Sequence, residues 1–383
     1  MIEYVLFANS RSGNYSPEKI EEIERPLILA DGQLQGRIIT TNSLPDLEDE
    51  VRKIHERKIH EQKKYPGIAG FFGGDASVME GMTAVENIWE NAPDCYIAFP
   101  EAGGTMMNVH EELGVKGGIT DYLKKVSGFG DTTSVQLAKY LAQATALGEP
   151  LKYKTIPAVE VIVDDIKNKK CQTIGFGIVP NLLSLYEGMT IEQCLHLERE
   201  LQQGRPEEYH QIAERYTEGL QKPSKLSALR TGISTFGKIF VGSSRWEEYF
   251  FSRALEVEIT LDGEKLENVL PKEYRKHPPT GVYAASFGKA NIGLPLKSTL
   301  LPQANKDSDR IPVVFTFGTA QQTALSAVKT FVGMKMDHTS YLDFTEMVIE
   351  SKKVIACNLN GDSFYGRHFK IRADGKRHFI VGK

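Results

Sequence analysis

The first third of the chain alternates apolar runs with small-residue loops and helical stretches, and this alternation constrains its fold more than any other feature. Each apolar run has the length of a buried strand, and glycine, serine or proline follows it before apolar residues recur at helical spacing. Strand-helix-strand order favours a mostly parallel sheet with helices on both faces. The strand candidates are Tyr4–Ala8, Arg37–Thr41, Gly70–Phe72 and Cys95–Phe99.

The loop after the third strand candidate, Gly73-Gly74-Asp75, is the most informative one, and a helix is predicted to begin near Ser77. Glycines allow a sharp turn, and the unpaired N–H groups at a helix start stabilise an anion such as a phosphate. A carboxylate in such a place needs a metal ion, a proton or a hydroxyl as its partner, so Asp75 is a candidate catalytic residue. Two simpler interpretations stay open: an ordinary tight turn, and a capping box between Ser77 and Glu80.

Two loops of similar composition follow the first and fourth strand candidates. The segment Asn9–Asn14 leads to a helix with Ser16 as its predicted cap, and Pro100–Thr105 leads to a helical stretch that ends near Leu113. The carboxyl ends of parallel strands meet at one edge of a sheet, where open sheets of this class bind ligands. The three loops therefore predict a nucleotide site, although none has the spacing of a Walker A or dinucleotide-binding motif.

The order of these loops resembles the diacylglycerol kinase catalytic domain family, which includes sphingosine and ceramide kinases and is distantly related to NAD kinases. The likeness continues more faintly through Thr173–Ile178, Pro302–Ala304 and Asn360–Asp362. It therefore spans nearly the whole chain, with its most specific part in the first third. The matching motif residues in that part are Asn9, Ser12, Gly13, Gly73, Gly74, Asp75, Glu80, Pro100, Gly103, Gly104 and Thr105.

The resemblance implies an ATP- and Mg²⁺-dependent kinase that phosphorylates a lipid hydroxyl. Asp75 would receive the proton of that hydroxyl or hold Mg²⁺, and Asp362 would be the second carboxylate near the transferred group. Asp307 resembles a position that binds a structural Mg²⁺, although from the sequence alone a solvated loop acid is the simpler interpretation. The residues that would bind the nucleotide are Asn9, Arg11, Ser12, Gly13, Gly73, Gly74, Ser77, Glu80, Gly104 and Thr105.

After about residue 150 the pattern changes to short strand candidates separated by turn residues, as in an antiparallel β domain. A helical insert over Thr190–Leu220 interrupts it, and the turn-rich Gly148-Glu149-Pro150 is the predicted boundary. The sequence thus predicts a nucleotide-binding α/β domain over 1–150 and a β-rich substrate-binding domain over 151–383, whose last strands are free to return to the first domain. The strand candidates are Val159–Val163, Cys171–Ile178, Glu256–Leu261, Val282–Phe287, Val313–Phe317, Lys353–Leu359 and Phe369–Arg372.

Composition bears on the partners and the cellular location that we expect for the protein. A net charge of −4 over 383 residues argues against a dedicated nucleic-acid binder. The four cysteines have no metal-ligand spacing and predict buried or incidental thiols in a reducing compartment. No signal-peptide pattern or membrane-spanning run appears, so we expect a cytoplasmic protein that touches membranes peripherally; a homodimer is left open. The aromatic segment Trp246–Phe251 suits a lipid-binding lip, but ordinary core packing is the favoured interpretation.

Several positions depart from the family pattern, and they keep two alternatives open. The residues after Asp75 and after Thr105 differ from the family's usual continuation, and Asn360 stands where a carboxylate is expected. These changes allow a homologue that binds nucleotide or lipid without efficient catalysis, and a kinase of a soluble acceptor such as NAD is the second alternative. Asp262 does not substitute for the missing acid, because Asp262-Gly263 between two strand-like runs predicts a hairpin turn. The departing residues are Ala76, Met79, Met107, Asn108 and Asn360.

Overall fold

The computed structural model describes residues 2–12, 15–30, 33–100, 108–115, 131–186, 188–217, 220, 254–286, 290–291, 297–298, 309–319, 322 and 336–382. The chain forms two compact units. The first consists of Met1–Ile156 with Lys376–Lys383, and the second is Pro157–Gly375. Two long strands, β5 (Tyr153–Val163) and β16 (Asp362–Ile380), pass from one unit into the other along the chain.

The first unit is built on a parallel sheet with the order β2-β1-β3-β4. The end of β16 adds a further parallel strand, with Phe379 opposite Tyr96 of β4. The predicted α/β architecture is therefore confirmed. Each strand is one to three residues longer than the strand candidate predicted from its apolar run. The strands are β1 (Ile2–Asn9), β2 (Leu34–Thr41), β3 (Ile68–Gly73) and β4 (Cys95–Pro100).

The helices of the first unit pack in two pairs, α1 with α5 and α2 with α3. Right-handed crossovers place α1 and α2 on opposite faces of the sheet, because β1 to β2 and β2 to β3 move in opposite directions across it, so the two pairs cover its two faces. The pairs enclose a core that includes Phe71, Tyr96 and Phe99. The helices are α1 (Pro17–Leu29), α2 (Leu44–Glu61), α3 (Asp75–Ile88), α4 (Asn108–Leu113) and α5 (Thr133–Ala146).

The second unit is strand-rich and antiparallel, as predicted, with the order β14-β13-β10-β7-β15-β16. Strand β5 pairs with β6 and β16, and β8 pairs with β15 and β9. The rings of Phe176 and Phe369 meet edge to face in its core, 5.0 Å apart. The remaining strands are β6 (Lys167–Cys171), β7 (Thr173–Gly177), β8 (Val257–Leu261), β9 (Glu264–Lys265), β10 (Gly281–Ala285), β11 (Ala290–Asn291), β12 (Lys297–Ser298), β13 (Ile311–Thr316), β14 (Thr339–Phe344) and β15 (Glu346–Leu359).

The helical insert of the second unit is confirmed, with two α-helices among the described residues, and one further described helix precedes it and one follows it. All four cysteines of the chain are buried free thiols, also as predicted. Burial raises the pKa of the Cys95 thiol to about 12. Within the described ranges no helix has both the length and the apolar character needed to cross a membrane. The helices are α6 (Ile178–Tyr186), α7 (Ile191–Gln203), α8 (Tyr209–Thr217) and α9 (Leu266–Val269), with a 3₁₀ turn over Pro206–Glu208.

The prediction of one strand over Cys171–Ile178 is wrong, because the chain bends at Gln172 and β7 ends at Gly177. Gly177 has φ +71°, and a Cβ atom there would lie 2.4 Å from the carbonyl oxygen of Thr280. Only glycine meets both conditions, so the strand stops there and α6 begins at the next residue. The aromatic segment Trp246–Phe251 lies outside the described residues.

The Asp262-Gly263 hairpin is confirmed, with φ +51° at Asp262 and +84° at Gly263 between β8 and β9. Asp262 Oδ1 accepts hydrogen bonds from the backbone N–H groups of Thr345 and Glu346, at 2.8 and 2.9 Å. Its Oδ2 pairs with Arg310 at 2.6 Å. Burial alone would raise the pKa of this carboxyl, but the two N–H donors and Arg310 lower it overall. Asp262 therefore has a structural role.

We expect Asp262→Asn to lower the free energy of unfolding at pH 7 by about 0.5–1 kcal/mol, because the lost charge pair is partly exposed. A lowered pKa in the folded state contributes stability above the unfolded value, and that stability is lost as pH falls through the folded pKa. The gap between the variant and the wild type should therefore close below about pH 4, the range of an ordinary aspartate. Urea unfolding at pH 3 and pH 7 measures the difference in unfolding free energy between the variant and the wild type. Asp165→Asn is the control, because the side chain of Asp165 is 84% exposed. A gap of equal size at both pH values contradicts the assignment.

Candidate functional site

The small-residue loops of the first unit begin at one edge of its sheet. In the parallel register, Asn9 lies opposite Thr41, Ala8 opposite Phe72, and Gly73 opposite Pro100. The strands β1, β2, β3 and β4 therefore end at the same level, and the described residues that follow β1, β2 and β3 lie at this carboxyl edge. This is the position where open α/β sheets hold their ligands.

Gly73 is required by the fold, whereas Gly74 is not. Gly73 has φ +152°, and a Cβ atom there would lie 2.6 Å from Ser77 Oγ and 2.7 Å from Ser77 Cβ. Gly74 has an ordinary φ of −80°, and a Cβ atom there would meet no atom of the described residues within 4 Å. The described residues thus leave room beside the backbone at Gly74, which suits the close approach of a ligand.

Helix α3 begins at Asp75, two residues earlier than predicted, and Gly74 is its N-cap without a side-chain hydrogen bond. Ser77 therefore lies inside the helix, so the capping box between Ser77 and Glu80 is wrong. The other helices of 13 residues or more in the described part are capped differently, since a hydroxyl accepts from the first turn in each. These hydroxyls belong to Ser16, Ser43, Thr132 and Thr190. A helix start with no such cap presents backbone donors to an anion.

Asn9 joins the loop after β1 to the first turn of α3. Its Nδ2 donates to Ser77 Oγ at 3.1 Å, and its Oδ1 accepts from the backbone N–H of Arg11 at 3.0 Å. The N–H of Ser12 donates to the carbonyl oxygen of Asn9 at 3.1 Å. The side chain of Arg11 is exposed. Three of the predicted nucleotide-binding residues, Asn9, Ser12 and Ser77, are therefore brought together, with a cation close by in sequence.

Asp75 is the acidic group of this edge, and its side chain is only 5% exposed. Its Oδ1 accepts from the backbone N–H of Val109 at 3.1 Å and lies 3.3 Å from His110 Nδ1. The carboxylate therefore connects the starts of α3 and α4. No sequence pattern points to His110, because it lies 35 residues from Asp75 and has no metal-ligand spacing. Only tertiary structure reveals the contact.

The departures that follow Asp75 have structural explanations. Ala76 lies in the first turn of α3 and is absent from the positions with positive φ, so its Cβ causes no backbone strain. Met79 is 2% exposed and packs in the core of the first unit. Glu80, one turn after Ala76, is half-buried on the same helix. Alanine in place of glycine at 76 is therefore compatible with an intact helix start.

In the second unit, Asn360 forms the turn between β15 and β16. It has φ +54°, a conformation that asparagine tolerates better than most residues. Its Oδ1 accepts from the N–H groups of Gln172 and Thr173 at 2.8 and 3.2 Å. The amide thus holds the bend between β6 and β7, which is a structural use of this position. Asp362, the predicted second carboxylate, is exposed at the first residue of β16.

A permanent metal site is not formed by the described residues, among which no three His, Cys, Asp or Glu side chains lie close enough to share an ion. Mg²⁺ commonly uses one or two carboxylates together with phosphate oxygens and water. A single carboxylate, as Asp75 provides, is compatible with this mode of binding, in which the Mg²⁺ ion arrives together with a nucleotide. The remaining predicted site residues, Gly13, Gly104, Thr105 and Asp307, lie outside the described residues.

No family model matches the sequence, and no curated protein matches it either. The fold is shared with solved structures from Bacillus anthracis strain Sterne. One, named a diacylglycerol kinase, has a TM-score of 0.55 and 14% identity over 99% of this chain and 97% of that one. Two more are provisionally named diacylglycerol kinases, and both have a TM-score of 0.58. The first is 14% identical over 99% of this chain and 97% of its own. The second is 15% identical over 99% of this chain and 95% of its own. The two-unit fold is therefore that of these structures.

Proposed function

We propose that the chain is an ATP- and Mg²⁺-dependent kinase that transfers the γ-phosphoryl group to a lipid hydroxyl, as in diacylglycerol, a sphingoid base or ceramide. The observation that carries this proposal is the position of Asp75. It lies in the turn from β3 to α3, at the carboxyl edge of a parallel sheet, next to a helix start that Gly74 leaves without a side-chain cap. The shared fold with structures named as diacylglycerol kinases supports the same reaction class.

Phosphoryl transfer depends mainly on positioning and on neutralising charge, and the residues at this edge are suited to both tasks. The backbone at Gly73 and Gly74 would hold phosphate oxygens, with Ser77 and Arg11 as further donors. Bound Mg²⁺ would supply charge neutralisation on the phosphates. Asp75 would accept the proton of the acceptor hydroxyl as that oxygen attacks, and Asp362 is proposed as the second carboxylate near the transferred group.

The lipid acceptor is proposed from the second unit, which shares its antiparallel fold with the same solved structures. This unit contains a cavity of about 120 Å³ between α6, α7 and β15, lined in part by Pro180, Leu197, Leu201 and Val354. Such a volume holds several methylene groups, and the apolar part of its wall suits an alkyl chain, while polar side chains such as Glu198 and Lys353 also line it. A lipid acceptor also implies peripheral contact of the protein with a membrane surface.

A second candidate, a protein that binds its ligands without efficient transfer, is favoured by one specific observation. The Asp75 carboxylate is buried and holds the start of α4 through Val109. A residue in that position has a structural role even without chemistry. In this case the nucleotide would bind normally, and replacement of Asp75 would change the stability of the first unit more than any turnover.

A thermal-shift series with Mg·ATP, NAD and a short-chain diacylglycerol tests the ligand classes. A ligand that binds only the folded state at about 100 times its Kd adds about 2.7 kcal/mol to the unfolding free energy. We expect Mg·ATP and the lipid to raise the melting temperature and NAD to leave it unchanged. Stabilisation by NAD alone contradicts the lipid proposal and favours a kinase of a soluble acceptor.

A further inference from the structure

His110 is a buried histidine whose surroundings differ from those of an ordinary core residue. It lies on α4, is 0% exposed, and its Nδ1 is 3.3 Å from Asp75 Oδ1. An ionised carboxylate can only accept hydrogen bonds, so Nδ1 carries the ring hydrogen in this contact. The backbone N–H of Val109 donates to the same oxygen at 3.1 Å. Two donors on one oxygen restrict the rotation of the carboxylate about its Cβ–Cγ bond.

The second ring nitrogen of His110 has no such contact. Nε2 is buried and has no hydrogen-bond partner among the described residues. With its hydrogen on Nδ1, the ring leaves Nε2 as a buried polar atom without a partner among the described residues, and burying such an atom lowers stability. Leucine would fill a similar volume without this cost. What histidine adds at this position is therefore the donor at Nδ1, which reaches Asp75.

We propose that His110 is a positioning residue for Asp75: together with Val109 it holds Oδ1 and so fixes the orientation in which the carboxylate meets the acceptor hydroxyl. His110 acts through Asp75 and touches no substrate. The kinetic consequence rests on the kinase function proposed above, whereas the orientation of the carboxylate does not. Reacting groups displaced by about 1 Å lose about a hundredfold in rate, so a modest rotation of Asp75 is enough to be measured.

Two isosteric amides separate the roles of the ring nitrogens. His110→Asn places an amide nitrogen close to the position of Nδ1, whereas His110→Gln places it closer to that of Nε2; His110→Leu removes both. We expect the Asn variant to keep kcat within about threefold, and the Gln and Leu variants to lose about 10- to 100-fold in kcat with KM for ATP unchanged. Circular dichroism melts identify any variant that does not fold. If the Leu variant fails to fold, the Asn and Gln pair supplies the comparison.

Equal kcat values for the Asn and Gln variants overturn the proposal, and so does a Gln variant that is more active than the Asn variant. If the wild type transfers phosphate to no acceptor, the proposed function fails, and crystal structures of the variants decide the positioning role. An Asp75 carboxylate with the wild-type orientation in the Asn variant and a rotated one in the Leu or Gln variant supports it. The same orientation in all variants overturns it.

Discussion

Replacing Asp75 by Asn should lower kcat by about a hundredfold to ten-thousandfold while the protein stays folded. Asparagine keeps an Oδ1 that accepts from Val109 and His110, so the connection between α3 and α4 survives. It cannot accept the proton of the acceptor hydroxyl, and general-base groups contribute about 10²- to 10⁴-fold to rate. Steady-state kinetics with Mg·ATP and a lipid acceptor measures the effect.

The KM for ATP distinguishes the two roles open to Asp75. A base leaves KM nearly unchanged, whereas a ligand of nucleotide-bound Mg²⁺ raises KM together with the loss of kcat. Asp49→Asn is the matched control, because Asp49 is a 65% exposed aspartate on α2 that pairs only with the exposed Arg52 in the described part. We expect it to retain wild-type kinetics. Turnover that is equal in Asp75→Asn and the wild type would remove Asp75 from the chemistry.

The two glycines before Asp75 should respond differently to replacement by alanine: Gly73→Ala should mainly lower stability, and Gly74→Ala should mainly lower the affinity for ATP. Gly73→Ala should destabilise the protein by about 1–3 kcal/mol, because the backbone has φ +152° and the new Cβ meets Ser77. Gly74→Ala should cost less, about 1 kcal/mol at most, since its φ is ordinary and the described residues leave room for a Cβ, although alanine is a poorer N-cap than glycine. If phosphate approaches the backbone at Gly74, the same methyl group should weaken ATP binding about tenfold or more.

Thermal melts and calorimetric titration with Mg·ATP measure the two effects separately, and each variant serves as the control for the other. Loss of ATP affinity in Gly73→Ala alone is explained by the displaced helix start, so the decisive variant is Gly74→Ala. Wild-type affinity in Gly74→Ala would mean that the phosphates do not lie over the start of α3. A large loss of stability in that variant would contradict the open space at Gly74.

The sheet edge was predictable because its determinants are local. Apolar runs of strand length, each followed by small residues and a helical pattern, are sufficient to specify a parallel order, and the register then brings Asn9, Gly73 and Pro100 to one level. The start of α3 was misplaced by two residues, since Ser77 and Glu80 fit a capping pattern equally well. The extended backbone of Gly74, with ψ −176°, lets the helix begin at Asp75 instead.

The contacts that give the site its detail were not predictable from sequence patterns. His110 meets Asp75 only because α4 packs against α3, and no local spacing encodes that contact. Asn360 looked like a lost metal ligand, yet its amide accepts two backbone N–H groups in a left-handed turn. In both cases the function of the side chain depends on donors that are distant in sequence.

The most direct test is the transfer of radiolabelled phosphate from ATP into a total lipid extract by the wild type and by Asp75→Asn, assayed side by side with Mg²⁺. We expect a labelled lipid with the wild type and a signal at least about a hundredfold weaker with the variant. Equal labelling by both proteins, or no labelled lipid with a folded wild type that binds Mg·ATP, would contradict the proposed lipid kinase.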